Sequence, residues 1–253
     1  SVSDGVAAAL TGTKAITGTP VNDPPACNVP GPQTTAEDTP YAFTGGNSIS
    51  VGDVDSGTLT VSLSVTSGTM TMTTLTGLSF TIGDGTADGS MSFSGSLSAL
   101  NNALGSASFT PLLNFNGSAL VTVAVSDGAL SAPLGTIDVT VTPVNDAPTA
   151  SGLNAPQNYS EDVTLNLLDI VISDVDNALV TATLTLSNTA VGSLSTGTSG
   201  AVTSTFSAGV WSASGALSNV NALLAALTFT PTPDFNGNFG FGTMFVPAYG
   251  APG

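Results

Sequence analysis

Residues 19–26 of this chain read TPVNDPPA, and residues 142–149 read TPVNDAPT. Three more landmarks recur in the same order. Glu37-Asp38 returns as Glu161-Asp162, and Asp53-Val54-Asp55 returns as Asp174-Val175-Asp176. The stretch LSALNNALGSASFTPLLNFNG (97–117) returns as LSNVNALLAALTFTPTPDFNG (217–237). Four matched landmarks whose spacing drifts by only a few residues identify a tandem duplication of a unit of about 120 residues. The fold must be one that this unit can adopt twice, which for 253 residues means two domains of ordinary size.

Each unit reads as β. In LTVSLSV (59–65), Leu59, Val61, Leu63 and Val65 share one face while Thr and Ser take the other. VTVAV (121–125), IDVTV (137–141) and VTATLTL (180–186) alternate in the same way. A strict period of two marks strands with one buried face, and clusters of Gly, Asn, Asp and Pro separate the runs. One segment per unit departs from this. Leu97, Leu100 and Leu104, and again Leu217, Val220 and Leu224, fall at i, i+3 and i+7, which predicts one short amphipathic helix leading into the Phe-Thr-Pro strand. Seven or eight short, mostly antiparallel strands plus that helix predict an all-β chain of two tandem Greek-key β-sandwiches of immunoglobulin type, without the Cys-Trp-Cys core of antibody domains. The expected divisions are residues 21–143 and 144–253, with residues 1–20 the closing strand of a preceding or neighbouring sandwich.

Charge narrows the function. There are 17 acidic residues against one Lys or Arg and no His, a net of −16. No basic patch is possible, which excludes nucleic acid and anionic membrane surfaces as partners. No apolar run approaches the ~20 residues that span a bilayer, so membrane insertion is not expected. No signal peptide opens the sequence. Low charge with abundant Ser, Thr, Gly and Asn reads as an exported microbial surface protein. Catalysis is not expected either: there is no histidine base, no Ser-His or Cys-His pair and no phosphate-binding glycine loop. A carboxylate pair could serve glycoside hydrolysis, but acids that recur at linkers suit joints better than clefts. Cys27, alone in PPACNVP, supports neither a disulfide framework nor a zinc site; it is an inert thiol or an intermolecular bridge. Trp211 reads as core.

Where the acids fall points to a metal. Asp23, Glu37, Asp38, Asp53 and Asp55 in the first unit match Asp146, Glu161, Asp162, Asp174 and Asp176 in the second. In a sandwich, the linker, the first strand and the loop after the second can meet at one pole. Asp-x-Asp on extended backbone would turn both carboxylates to the same side. Packing such acids costs roughly 1–3 kcal/mol per close pair at ~5 Å, and Lys14 is the only cation in the chain. Ca²⁺, which takes six to eight oxygens from carboxylates, amides and carbonyls, would offset that repulsion. Asn22 and Asn145 of the linker phrase would each add an amide oxygen, and the flanking prolines hold the linker extended. The competing reading makes these acids solvated turn residues. Asp127, in an SDG that recurs around Asp4, is a further candidate, expected to reach toward the following linker. Asp84 and Asp88 in GDGTADGS have no counterparts in the second copy and read as a hairpin turn.

Taken together, the linker VNDAP, the ED, the DVD, the helix ending in FTP, the F-N-G and the VSDG resemble the cadherin-like tandem repeats of giant bacterial surface adhesins. The GDGTADGSMSFSGSLSALNNAL run is especially similar, and the likeness covers residues 1 to about 245. The resemblance implies cadherin-like immunoglobulin folds, Ca²⁺ between domains, an extracellular position, and a role in extending or joining surface proteins for adhesion or biofilm matrix. It implies Asn22, Asp23, Asp53 and Asp55, then Asn145, Asp146, Asp174 and Asp176, as ligands, with Glu37-Asp38 and Glu161-Asp162 matching the ED by place. After Gly237 the pattern lapses into NFGFGTMFVPAYGAPG.

Both ends fall inside a repeat. Residues 1–20 match 124–143, and residues 238–253 match 118–133. Two readings remain open: residues 6–20 of one subunit complete the second sandwich of its neighbour in a head-to-tail filament, or the sequence is a window of a longer repeat chain. A carbohydrate- or ice-binding surface module, with a surface glycan or a host ligand as partner, is the functional alternative. It would need exposed aromatic or regular Thr faces.

Overall fold

The computed structural model describes residues 5–6, 12–153, 156–168 and 170–247. Residues 1–4 and 7–11, with Asp4 and half of the expected orphan strand, lie outside the described residues. The chain divides into two compact units, 1–142 and 143–253.

Unit 1 runs β1 (Ala26–Asn28), β2 (Gln33–Ala36), β3 (Tyr41–Ala42), β4 (Ser50–Gly52), β5 (Thr58–Val65), β6 (Gly68–Met72), β7 (Leu78–Ile82), β8 (Ser90–Ser96), α1 (Leu97–Leu104), β9 (Ala107–Pro111), β10 (Gly117–Ser126) and β11 (Gly135–Thr142). The long alternating runs are strands as expected. Several two- to five-residue strands, too short to show a period, raise the number above the seven or eight read from the sequence. One sheet has the order β2-β11-β10-β5-β8-β7 and is antiparallel except where β2 runs parallel to β11. A smaller sheet has the order β3-β9-β6, and β1 pairs with β4. Inward residues of both sheets meet in one core, with Val61, Phe93 and Val121 from the larger and Met70, Met72 and Phe109 from the smaller. From β11, Ile137, Val139 and Val141 are each no more than 2% exposed. Burying three such side chains contributes roughly 5–8 kcal/mol as an upper estimate.

The helix does more than cover the core. Ser96 caps α1 by accepting the Ala99 N–H at 3.3 Å, and Leu100, Ala103 and Leu104 are buried. Asn101 then spends its whole amide on one strand residue: Oδ1 accepts the Val51 N–H at 2.9 Å, and Nδ2 donates to the Val51 carbonyl at 2.9 Å. A side chain thus stands in for a neighbouring strand beside β4.

Unit 2 repeats the plan through β12 (Thr149–Ser151), β13 (Leu165–Asn166), β14 (Val171–Ser173), β15 (Leu179–Leu186), β16 (Gly192–Leu194), β17 (Thr198–Ser199), β18 (Val202–Thr203), β19 (Thr205–Ser207), β20 (Val210–Ala216), α2 (Leu217–Ala225), β21 (Thr228–Pro231) and β22 (Phe241–Pro247). Asn221 of α2 makes the same two-sided grip on Ile172 of β14, both bonds at 2.9 Å. Trp211 is fully buried, its Nε1 donating to the Ser195 carbonyl at 3.1 Å.

The larger sheet of unit 2 is β19-β20-β15-β22. β22 lies where β10 lies, since Thr181 faces Val246 as Thr60 faces Ser126. Among the described residues its only strand partner is β15, so its other edge is free. Phe239, Phe241 and Phe245 take the places of Ala119, Val121 and Val125, and Tyr159 that of Thr35. The rings of Tyr159, Phe239 and Phe241 pack together, Phe239 at 5.6 Å from Tyr159, 4.2 Å from Phe229 and 5.5 Å from Phe241. The Tyr159 hydroxyl donates to the carbonyls of Phe235 and Gly237 at 3.1 and 2.8 Å.

Candidate metal centre

β4 ends at Gly52, and the DVD triplet follows at once. The chain does not run extended there, as the sequence reading expected; it bends. The Asp53 carboxylate folds over its own loop, Oδ1 accepting the N–H of Asp55 at 2.8 Å and of Ser56 at 2.7 Å. An aspartate can satisfy its own turn in this way, and the local bond wins over extension. Val54 is pushed outward and is exposed. In unit 2, Asp174 Oδ1 accepts from Asp176 at 3.0 Å and Asn177 at 2.7 Å.

The linker docks on this bend. Asp55 Oδ2 accepts the backbone N–H of Asp23 at 2.8 Å, and Asp176 Oδ2 accepts that of Asp146 at 2.6 Å. Asn22 Nδ2 donates to Asp127 Oδ2 at 2.7 Å. Asp127 therefore engages the linker of its own unit; the expectation that it reaches toward the following linker is corrected. The reason is topological: β10 ends beside the start of β5, Ser126 facing Thr60, at the pole where the DVD loop sits. Asn145 Oδ1 accepts from Asn177 Nδ2 at 2.7 Å, a contact that the sequence reading missed because Ser56 holds that place in unit 1.

Glu37-Asp38 does not join this group. Ala36 faces Thr142 at the end of β11, and Val141 faces Gly117 at the start of β10. Ten residues of β10, about 30 Å of strand, separate that pole from Asp127. At the far pole Glu37 is 3% exposed, its N–H donating to the Thr142 carbonyl at 2.9 Å and Oε2 accepting from Asn116 at 3.3 Å. Asp38 Oδ1 accepts the Asn114 N–H at 2.9 Å, and Asp162 Oδ1 accepts that of Asp234 at 3.1 Å. All four of those residues have φ between 55° and 62°, the left-handed region that Asn and Asp tolerate best. Convergence of all five acidic landmarks on one pole is thereby corrected; this pair ties the β2–β3 corner to the F-N-G loop. Glu161, by contrast, is exposed.

Among the described residues no three carboxylate or thiol side chains gather into a ready metal cluster. One oxygen per unit is nevertheless anomalous. Asp53 Oδ2 and Asp174 Oδ2 are buried and accept no hydrogen bond. A buried carboxylate oxygen with no donor costs on the order of 1–3 kcal/mol, and the cost is repeated at the same atom in both copies. Ca²⁺ takes carboxylate and amide oxygens, the types that Asp53, Asp55, Asp127 and Asn22 carry at this pole, so the chemistry of the residues fits the ion. The Asn22 amide, then the N–H groups of Leu130 and Ala129, hold the Asp127 carboxyl below its ordinary value. Asp84 and Asp88 form a hairpin turn, Asp88 Oδ2 accepting from Asp84 and Gly85. Burial raises the Cys27 thiol above its usual value, which disfavours the reactive thiolate.

No protein-family model matches the sequence, and no curated protein is similar enough to count as a relative. Among solved structures, the chain is similar to the C-terminal domain of the antigen I/II polypeptide BspA of Streptococcus agalactiae, with 9% identity over 76% of this chain and 85% of that one and a TM-score of 0.20. It is also similar to the C-terminal domain of the antigen I/II-family protein AspA of Streptococcus pyogenes, with 7% identity over 89% and 99% and a TM-score of 0.26. An endo-fucoidan hydrolase of glycoside hydrolase family 107 matches with 17% identity over 90% of this chain and 29% of its own, at a TM-score of 0.23. Superpositions this slight carry nothing about function. No helix among the described residues is long and apolar enough to cross a membrane.

Proposed function

We propose that this chain is a structural, non-catalytic repeat of a bacterial cell-surface protein, a pair of cadherin-like modules each of which binds Ca²⁺ where its linker meets its DVD loop. The observation that carries the reading is the buried, donorless Oδ2 of Asp53 and of Asp174. Asp55 and Asp176 fix the linker backbone at the same place, and Asn22, Asp23, Asp127, Asn145 and Asp146 stand beside it. A bound Ca²⁺ would supply the positive charge that a chain with a single Lys cannot. Asn101 and Asn221 hold the strand that leads into each loop, so the loop's position is set before any ion arrives. A linker pinned to the module it precedes cannot swivel freely, which is the property of a rod used in adhesion, surface extension or matrix. Such rods lengthen by repetition along one polypeptide or by head-to-tail joining of separate chains.

Calorimetric titration with Ca²⁺, together with melting in calcium and in chelator, tests the reading. Saturation to 100 times the dissociation constant stabilises each unit by about 2.7 kcal/mol. Asp53→Asn is expected to abolish the shift in unit 1 alone and Asp174→Asn in unit 2 alone. Absence of both heat and shift sinks the calcium reading. Glycan binding that survives chelation would favour a carbohydrate module instead; Trp211, fully buried, cannot be its platform.

A further inference from the structure

The free edge of β22 has a defined polarity. The Ser187 N–H donates to the Gly240 carbonyl at 2.9 Å, so even-numbered residues of this strand turn their backbone groups toward β15. Those of Phe241, Thr243 and Phe245 point the other way, to the open side, as a template for one more strand. Beside it lies a groove of about 590 Å³ whose lining includes Tyr159, Leu165, Leu167, Ile170, Phe239 and Phe241. In unit 1 the corresponding edge carries β11.

The chain also carries a second β11-like sequence. Residues 12–20, GTKAITGTP, match residues 135–143, GTIDVTVTP, position for position. Yet residues 12–20 form no strand, every one of them is exposed, and Ile16 is 88% exposed. A sequence that aligns with a core strand, and keeps Ile16 at the place of buried Val139, stands in solvent, while among the described residues a core edge of the matching type stands open.

We infer that residues 12–20 of a second copy of this chain add to β22 as its closing strand. The register of β10 with β11, where Ala119 faces Val139 and Val121 faces Ile137, places Ile16 opposite Phe239, Lys14 opposite Phe241 and Gly18 opposite Gly237. Volumes compensate across this junction. The acceptor has Phe239 and Phe241 where unit 1 has Ala119 and Val121, and the donor has Gly18 where unit 1 has Val141. Lys14 replaces an inward isoleucine; its aliphatic stem can lie over the Phe241 ring with the ammonium at the rim. Donor and acceptor occupy different places on the chain, so the contact is heterologous and propagates. Residues 21–25 follow the donor directly, as residues 144–148 follow the matching stretch that ends β11. Each junction would therefore lead into a linker of the same sequence type as the one between units 1 and 2.

Sedimentation velocity on the full 253-residue chain, run in excess chelator, tests this apart from the metal reading, because strand addition needs only backbone bonds and apolar contacts. Ile16→Asp removes the donor's anchor. Thr243→Pro removes one free-edge N–H while leaving the β15 ladder whole. The wild type is expected to form dimers and longer species as concentration rises, and each variant alone to stay monomeric. An equimolar mixture of the two should stop at a dimer, since only one sound donor–acceptor pair remains. That dimer also shows that both variants fold. A monomeric wild type, oligomers that persist in either variant, or a mixture that stays monomeric would each overturn the inference. Protection of residues 12–20 from amide exchange in a monomeric wild type would place the strand in its own chain and would overturn the second copy as occupant.

Discussion

β10 and β22 are the same strand in two copies of one module, and their surroundings differ on one side only. β10 lies between β5 and β11, and its inward residues Val121 and Val123 are fully buried. β22 has β15 on one side; there Phe241 is half-buried and Thr243 is exposed. The effect of the closing strand spreads beyond its own residues. β11 gives β2 a parallel partner and brings Thr142 against Glu37, so the acid is buried and bonded. In unit 2 the stretch that corresponds to β2 forms no strand among its described residues, and Glu161 is exposed. The aromatic rings of Tyr159, Phe239 and Phe241 fill part of the space that aliphatic residues and a strand fill in unit 1. One strand thus decides the order of its neighbours, the burial of a carboxylate and the size of the core residues opposite.

The severest test of this contrast is a charge placed in the closing strand. Val139→Asp buries an unpaired carboxylate in a fully enclosed position and is expected to cost about 4 kcal/mol or more. Hydrogen exchange should show unit 1 opening while unit 2 keeps its protection. If unit 1 melts unchanged, β11 is not what closes it. The milder form leaves unit 1 intact and compares amides, in the Ile16→Asp background so that β22 stays free. Val121 and Val123 are expected to exchange about 100-fold or more slowly than Phe241 and Thr243, whose N–H groups face the open edge.

Where the units agree, the expected effects are smaller and matched. Asn101→Ala strips the Val51 N–H and carbonyl of their partners, and Asn221→Ala does the same at Ile172. Each should cost about 1–3 kcal/mol in its own unit and weaken the proposed Ca²⁺ binding there, because the DVD loop loses its anchor. Equal losses in both units would sharpen the view that the loop is built alike in each; a loss confined to one would break it.

These matched and unmatched features differ in how readable they were. Alternation at 59–65 and 137–141 and the leucine spacing at 97–104 announced their strands and helix, because burial of one face is a local pattern. The bend at Asp53 was misread as extended, since an aspartate bonding its own turn leaves no periodic trace. Glu37-Asp38 was assigned to the wrong pole because its place depends on β2 pairing with β11, more than 100 residues downstream. The grip of Asn101 on Val51 was missed for the same reason. Its only signal was an asparagine at the same helix position in both copies, LSALN and LSNVN.

The smallest expected difference concerns acid. Asp127 has Pro247 at its corresponding place in unit 2, so only unit 1 ties a carboxylate to its linker there. Hydrogen bonds from Asn22 and then from the N–H groups of Leu130 and Ala129 lower its pKa. A carboxyl lowered in the folded state stabilises most above its unfolded value, about 3.9, and loses that contribution as pH falls through the lower folded value. Unit 1 should therefore soften from about pH 5 downward through this contact, and Asp127→Asn should remove that part of its acid sensitivity without changing unit 2. Melting of both proteins at neutral pH and near pH 3, without calcium, is the measurement. Identical pH slopes for wild type and variant would mean that the Asn22–Asp127 bond, exposed to water as it is, contributes no stability, leaving the Asp55–Asp23 bond to hold the linker in the absence of an ion.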